Sequence, residues 1–181
     1  MERREVADKQ EADMKAIVYT LLLISIVFFL VGCSGGMTTP IHTAQINDVT
    51  LAEDALVTFL GSLHDGQYEE AAQLYGGSYE IMLEQNPGID PTDHALLMEN
   101  ACTINGAVCL EVKGAELERV VSPTEFEFIV EFLNEDGTLF VLGPCCGGNT
   151  TDSPPQSGFI FTMIKDSNGK FLVMDMPPYM P

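Results

Sequence analysis

The feature that most constrains the fold of this chain is a strict alternation of apolar and polar residues beyond its middle. Between Glu125 and Leu133 the apolar positions are Phe126, Phe128, Val130 and Phe132, and glutamates fill most of the positions between them. Because successive side chains of a strand point to opposite faces of a sheet, the pattern predicts a strand with one buried and one solvated face.

Strand patterns also surround this segment. Strand character runs from Val108 to Val121, and a hairpin loop at 134–137 leads into a predicted strand from Thr138 to Leu142. After a long loop rich in Pro and Gly, two more strands are predicted around Phe159–Met163 and over Phe171–Met176. The spacing between turns predicts an antiparallel meander.

Helical patterns come before the strands. Thr50 and Glu53 form a capping box that predicts the start of a helix, which Asp65-Gly66 ends. A second helix is predicted from Tyr68 to Tyr75, where Gly76-Gly77 stops it, and a short turn of helix around 79–84. Asp90 as N-cap and Pro91 as first residue predict a third helix that runs to about Cys102. Helices followed by a meander indicate the α+β class.

This order of elements resembles the nuclear transport factor two-like superfamily, also called cystatin-like or SnoaL-like. The segments that carry the resemblance are ALVTFLGSLHDGQYEEAAQLY and FIFTMIKDSNGKFLVMDMPPY, and it covers about Leu51 to Tyr179. It implies N-terminal helices packed on a curved antiparallel sheet, in the shape of a cone. Relatives often dimerise through the sheet, so the resemblance also implies a homodimer as one alternative.

Enzymes of that superfamily use an Asp or His base and a Tyr or Asp donor in an apolar pocket. The candidates for these roles here are Asp175, Tyr75 and Tyr79, although no motif maps onto them residue by residue. Burial raises the pKa of such a carboxyl group and suits it to proton transfer. The alternative for Asp175, which the pattern favours, is an outward-facing or turn position.

The amino-terminal part contains a nearly unbroken apolar run, from Ala16 to Val31, preceded by Lys15. The run is marginal for crossing a hydrocarbon core of roughly 30 Å, and its length is typical of a secretory signal. Its end, Leu30-Val31-Gly32-Cys33, resembles the lipobox of bacterial lipoproteins. The resemblance implies cleavage between Gly32 and Cys33 and a thioether-linked lipid, such as a palmitate-bearing diacylglycerol, on Cys33.

These patterns predict three parts. Residues 1–32 are a signal peptide, 33–48 a lipidated polar tether, and 49–181 a single domain. The charged segment before Met14 is unusual for a signal peptide, so we expect translation to start at Met14. An uncleaved signal anchor is the alternative. The predicted location is the bacterial cell envelope, on the extracytoplasmic side of a membrane.

The chain is strongly acidic, with a formal net charge of −19. From Cys33 onward there are 22 acidic residues against four basic ones, which are Lys113, Arg119, Lys165 and Lys170. Such a field repels phosphate backbones and argues against nucleic acid as a partner. A solvated acidic face explains most of the charge, and binding of cations or basic partners is the alternative.

Four cysteines follow Cys33, and an even number in an exported domain predicts disulfides. Because Cys145 and Cys146 are adjacent, we expect each to pair elsewhere, one with Cys102 and the other with Cys109. Free thiols and a zinc site are the alternatives, but no C-x-x-C pair is present. The chain has three histidines, at positions 42, 64 and 94, and none has the spacing of metal ligands. We therefore expect the side chains of His42, His64 and His94 to be solvated.

The sequence therefore predicts no cofactor and no metal, and leaves three functions open. The first is a noncatalytic lipoprotein whose domain binds a small apolar ligand or a protein partner. The second is a proton-transfer enzyme of the SnoaL type, such as an isomerase, cyclase or dehydratase. The third is a structural or assembly role through the sheet face.

Overall fold

The structure is a computed structural model that describes residues 40–144, 151 and 154–180, with side chains from residue 46 onward. Within these residues four helices precede a four-stranded antiparallel sheet, so the predicted α+β class is confirmed. The elements are α1 Pro40–His64, α2 Tyr68–Leu74, α3 Glu80–Gln85, α4 His94–Thr103, β1 Glu111–Ser122, β2 Glu125–Leu133, β3 Gly158–Lys165 and β4 Phe171–Val173.

The first helix starts ten residues earlier than the capping box predicts. The Thr50 hydroxyl does not cap a helix end but donates to the Ile46 carbonyl oxygen, one turn back, at 3.3 Å. Nothing between Pro40 and Thr50 breaks a helix, and proline is compatible with a first turn. Residues 40–48, which belong to the predicted tether, are therefore helical. The predicted end is confirmed, because α1 stops at His64 and Gly66 follows with a φ of 73°.

The last helix starts later than predicted, at His94 and not after Asp90. The Asp93 side chain caps α4 by accepting from the Leu96 amide at 3.2 Å. Asp90 instead forms a local turn, in which its Oδ1 accepts from both the amide and the hydroxyl of Thr92. Aspartate can serve either as cap or as turn residue, and the sequence contains both within one short segment.

The sheet has the order β1-β2-β3-β4, and each neighbouring pair is antiparallel. The alternation in β2 is confirmed, since Phe126, Phe128, Val130 and Phe132 are completely buried. Across the β2–β3 pair they face similar side chains, as Phe128 opposes Phe161. Helix α1 contacts all four strands and buries Leu56, Phe59, Leu60 and Leu63 against them. This contact forms the hydrophobic core of the domain.

Two predicted strands are shorter or missing. The segment from Thr138 to Leu142 makes only isolated bridges, one from Leu139 to Leu133 and one from Leu142 to Gln156. The last strand, β4, ends at Val173, three residues earlier than expected. No helix among the described residues is long and apolar enough to cross a membrane. The apolar run, Gly32 and Cys33 lie outside the described residues.

Candidate functional site

A cavity of about 350 Å³ lies between two segments that are distant in sequence. The first segment joins α2 to α3, and the second follows β4 toward the carboxyl end. We call this cavity the tyrosine pocket. Its lining residues are Tyr75, Ser78, Ile81, Met82, Met174, Asp175, Met176, Pro177, Pro178 and Tyr179. The walls are thus mostly apolar, and of the residues that the structure describes Asp175 is the one lining side chain that carries a charge.

The first wall is joined to the sheet by backbone contacts. Tyr75 pairs in parallel with Val173 in β4, and the Gly76 amide donates to the Val173 carbonyl oxygen at 2.9 Å. A Cβ atom at Gly76 would lie 2.9 Å from that of Leu172, and one at Gly77 would lie 2.5 Å from the Tyr75 ring. Gly76-Gly77 was predicted only as a helix stop, but these glycines also allow the close approach that forms the pocket.

The second wall is fixed by a short stretch that follows α4. The Val108 amide donates to the Pro178 carbonyl oxygen at 2.8 Å, and the Met180 amide donates to that of Gly106 at 2.8 Å. Gly106 has a φ of 84°, a conformation that favours glycine, and a Cβ there would meet the Met180 carbonyl oxygen. The carboxyl-terminal segment is thereby aligned beside residues 106–108.

The same stretch is closed by a disulfide between Cys102 and Cys109, with Cα atoms 5.5 Å apart. The predicted pairing of these two cysteines with Cys145 and Cys146 is therefore wrong. The reason is local: the left-handed turn at Gly106 reverses the chain after α4 and brings Cys109 beside Cys102. Cys145 and Cys146 lie outside the described residues.

A series of aromatic contacts extends from Tyr75, which lines the pocket, into the rest of the domain. Tyr75 stacks on the buried Phe59 of the core with centroids 5.9 Å apart, and Tyr79 meets Tyr75 edge-on at 5.1 Å. On its other side Tyr79 stacks on His94 at 3.9 Å. These three contacts join four rings and link the pocket to the hydrophobic core and to the start of α4.

The phenolic hydroxyls of Tyr75, Tyr79 and Tyr179 differ in their hydrogen-bond partners. The Tyr75 hydroxyl donates to the Ser78 carbonyl oxygen at 3.0 Å. The hydroxyls of Tyr79 and Tyr179 are buried, and neither finds a hydrogen-bond partner among the described residues. Buried polar atoms are nearly always paired in folded proteins, so unpartnered ones deserve an explanation, such as a ligand or an ordered water.

Burial, together with the smaller effects of the neighbouring Tyr79, Tyr179 and Asp175, raises the pKa of the Tyr75 phenol to about 12. Burial also raises the pKa of Tyr79 to about 12 and raises that of Tyr179. These phenols are therefore neutral at physiological pH. They can donate or accept hydrogen bonds, but they cannot serve as bases.

Asp175 lies two residues beyond β4 and lines the pocket, so it is neither on the last strand nor in an exposed turn as expected. Its Oδ2 atom accepts from the Thr162 amide of β3 at 2.6 Å. Among the described residues no ion pair involves Asp175. The structure thus brings two of the three sequence candidates, Asp175 and Tyr75, into one pocket, and places Tyr79 against Tyr75.

The histidines take no part in a metal centre in the described part of the chain, where no cluster of three potential ligands occurs. His64 ends α1, is exposed, and places Nδ1 3.2 Å from the Cys109 carbonyl oxygen. His94 is exposed as expected, but its stacking on Tyr79 was not predicted. The His42 side chain lies outside the described residues.

Sequence reasoning missed most of the second wall. Pro177 and Pro178 directly follow the predicted last strand, and its pattern gives no role to them or to the methionines at 174 and 176. A signal was present, since a Met-x-Met-Pro-Pro-Tyr segment combines apolar, rigid and aromatic residues with one carboxylate.

A second, smaller depression of about 220 Å³ lies on the outer sheet face, lined by Gly114, Glu116, Ile129 and Glu131.

No family model, no curated protein and no solved structure matches this chain. The resemblance to the nuclear transport factor two-like superfamily stays a prediction, carried by the order of helices and strands.

Proposed function

We propose that the chain is a cell-envelope lipoprotein whose α+β domain binds a small, largely apolar ligand in the tyrosine pocket without transforming it. The observation that carries this proposal is the pocket itself. Ligand sites are typically concave, mainly apolar and equipped with a few polar groups that orient the ligand. Met, Pro and Tyr side chains supply the apolar surface here, and Asp175 and the phenols supply the polar groups.

The proposed extracytoplasmic location is supported by two independent features. The first is the apolar run that ends in Leu30-Val31-Gly32-Cys33, with the lipid expected on Cys33. The second is the disulfide between Cys102 and Cys109, because such bonds persist in oxidising compartments and are rare in the cytosol.

The hydrogen bonds of the pocket favour binding over catalysis. The Tyr75 hydroxyl is already committed to Ser78, and its raised pKa makes it a weak acid. One oxygen of Asp175 is committed to the Thr162 amide. The space between α1 and the sheet, where a cone-shaped enzyme would hold its substrate, is filled by buried phenylalanines.

A proton-transfer enzyme is the second candidate, because Asp175 and Tyr75 line the same pocket. In that case the free oxygen of Asp175 would take a proton from a bound substrate and a phenol would donate to the developing oxyanion. Turnover of a bound ligand that Asp175→Asn abolishes would favour this candidate. Binding without turnover would favour the first.

Lipidation at Cys33, and with it the proposed location, can be tested in a bacterium that expresses the full chain and is fed labelled palmitate. We expect label on the wild-type chain, accumulation of an unprocessed form with globomycin, and no label on Cys33→Ser. Ser34→Ala, one residue away, should be labelled normally. Label on Cys33→Ser equal to that of the wild type would contradict the assignment.

The pocket can be tested with a fluorescent reporter, because the chain contains no Trp. Ile81 lines the pocket and is 58% exposed, while Ile104 is 71% exposed and does not line it. In full chains carrying Ile81→Trp or Ile104→Trp, cyclohexylmethanol should change the emission saturably only in the first. Equal responses of the two reporters, or no response of either, would contradict a ligand site here.

A further inference from the structure

We propose that the ligand of the tyrosine pocket is an organic cation, with an ammonium group on a compact apolar body. This inference rests on the proposed binding function and specifies the class of ligand. It follows from the charge distribution around Asp175, which among the described residues is the one charged side chain that lines the pocket.

Every Lys and Arg of the described part of the chain is engaged elsewhere. The ammonium of Lys113 pairs with Glu131, and the guanidinium of Arg119 pairs with Glu127. The ammonium of Lys165 pairs with Asp48, and that of Lys170 donates to the Gln73 carbonyl oxygen at 2.9 Å. Asp175 therefore has no cation of this protein within the described residues to neutralise it.

The carboxylate of Asp175 is half-buried, and its one hydrogen bond, from the Thr162 amide, goes to Oδ2. Removing a carboxylate from water without a partner is costly, whereas an ammonium that donates to it forms a strong, charge-assisted hydrogen bond. A cationic ligand would thus gain more from this pocket than a neutral ligand of the same shape.

The aromatic rings add to the same preference. Tyr75 and Tyr179 both line the pocket, and the face of a phenol ring attracts a cation placed within about 6 Å of its centre. The Tyr179 hydroxyl is buried without a partner in the described residues, and a small shift of this ring would let its oxygen accept from an N–H group of the ligand. The methionines and prolines provide contact for the apolar body.

The charge of the domain works in the same direction. From Cys33 onward acidic residues outnumber basic ones by 22 to four, which attracts cations and repels anions over a distance. A bare metal ion is a poor alternative, because the described residues contain no group of three potential ligands. A volume of about 350 Å³ instead suits an organic molecule.

The test uses three probes of nearly equal size: cyclohexylmethylammonium, cyclohexylmethanol and cyclohexylacetate. Each is titrated at pH 7 into the full chain carrying Ile81→Trp, with the Ile104→Trp chain as the control for nonspecific partition. We expect the ammonium to bind about tenfold more tightly than the alcohol, the scale of a hydrogen bond to a charged group, and the carboxylate to bind weakest.

The source of the preference is tested by Asp175→Asn in the reporter chain. Asparagine keeps an oxygen that can accept from the Thr162 amide, so the fold should be retained while the charge is lost. The variant should then bind the ammonium and the alcohol with about equal affinity. Asp54→Asn, which removes one charge from an exposed position on α1, should leave the preference unchanged.

The outcomes separate this inference from the proposed function. If the alcohol binds as tightly as the ammonium, the pocket is a ligand site but the cation inference is overturned. If none of the three probes binds, both are overturned. An ammonium preference that survives in Asp175→Asn would overturn the role of Asp175. Should that variant not fold, the wild-type ranking of the three probes still decides for or against the cation.

Discussion

Two regions of this domain, the hydrophobic core and the tyrosine pocket, satisfy their polar atoms very differently. In the core, between α1 and the sheet, the large side chains are phenylalanines, leucines and methionines with no polar hydrogen to satisfy. At the pocket, the Tyr179 hydroxyl is buried without a partner in the described residues, as is that of Tyr79 beside Tyr75, and the carboxylate of Asp175 has no counter-ion there.

The difference separates stability from function. A core of interlocked apolar side chains gains free energy from burial and needs nothing further. Unpartnered polar atoms and an unpaired carboxylate cost free energy and are found where a ligand can complete them. As far as the structure describes the chain, the buried side-chain atoms without partners are the hydroxyls of Tyr79 and Tyr179, which lie beside and in the wall of the tyrosine pocket, and we therefore propose the function there.

The largest effect is expected in the core. Phe128→Ala removes a completely buried ring and should lower the free energy of unfolding by about 3–5 kcal/mol. The matched control is Ile160→Ala on the opposite sheet face, where the side chain is 48% exposed and the loss should be much smaller. Urea denaturation followed by circular dichroism measures both. Similar losses for the two variants would contradict a one-sided sheet.

The next effect concerns the disulfide, which packs against the core and closes the stretch that holds the second wall of the pocket. Cys102→Ser combined with Cys109→Ser should cost about 2–3 kcal/mol, the loop-closure contribution for so short a loop. Because residues 106–108 hold the second wall, probe binding to the Ile81→Trp reporter should weaken as well. A variant that loses stability but binds the probes normally would show that the bond serves the core alone.

A smaller loss is expected at the first wall. Gly77→Ala places a methyl group against the Tyr75 ring and the Met174 carbonyl oxygen, so we expect a cost of about 1–3 kcal/mol and a displaced Tyr75. Gly88→Ala is the matched control, because no atom lies within 4 Å of its Cβ position. Equal thermal midpoints for the two variants would contradict the close approach of this wall to β4.

The smallest effect concerns pH. Burial raises the pKa of Tyr75 from its ordinary value of 10.0 to about 12, so the folded state retains this proton where the unfolded state loses it. The contribution to stability is complete below pH 10 and is lost as the pH rises toward 12. Absorbance at about 295 nm should show delayed ionisation that Tyr75→Phe reduces. Ionisation of all tyrosines near pH 10 in folded protein would contradict the burial.

The sequence predicts the core better than the pocket, for a physical reason. The alternation that buries Phe126 and Phe128 is a local pattern. In a strand it places all the apolar side chains on one face of the sheet. The capping box at Thr50 misled because the same residues are also compatible with a helix interior. The partner of Cys102 was missed because the turn at Gly106 depends on a backbone angle that residue identity alone does not determine.

The pocket depends on contacts between segments that are distant in sequence. Tyr75 and Asp175 line the same pocket because Gly76 approaches β4 closely, and Tyr179 joins them because it pairs with Ala107. The resemblance to a family of pocket-bearing proteins did single out Asp175, Tyr75 and Tyr79, but not what surrounds them. The lining methionines and prolines could be recognised only from the fold.

The central proposal is that the chain lies outside the cytoplasm, with a lipid on Cys33 and a disulfide between Cys102 and Cys109. The most direct measurement is mass spectrometry of pepsin fragments from the full chain, extracted from membranes and alkylated without reductant. We predict an amino-terminal fragment that begins with acylated Cys33 and a fragment pair joined through Cys102 and Cys109. Fragments with unmodified Cys33 still joined to Gly32, together with alkylated Cys102 and Cys109, would contradict it.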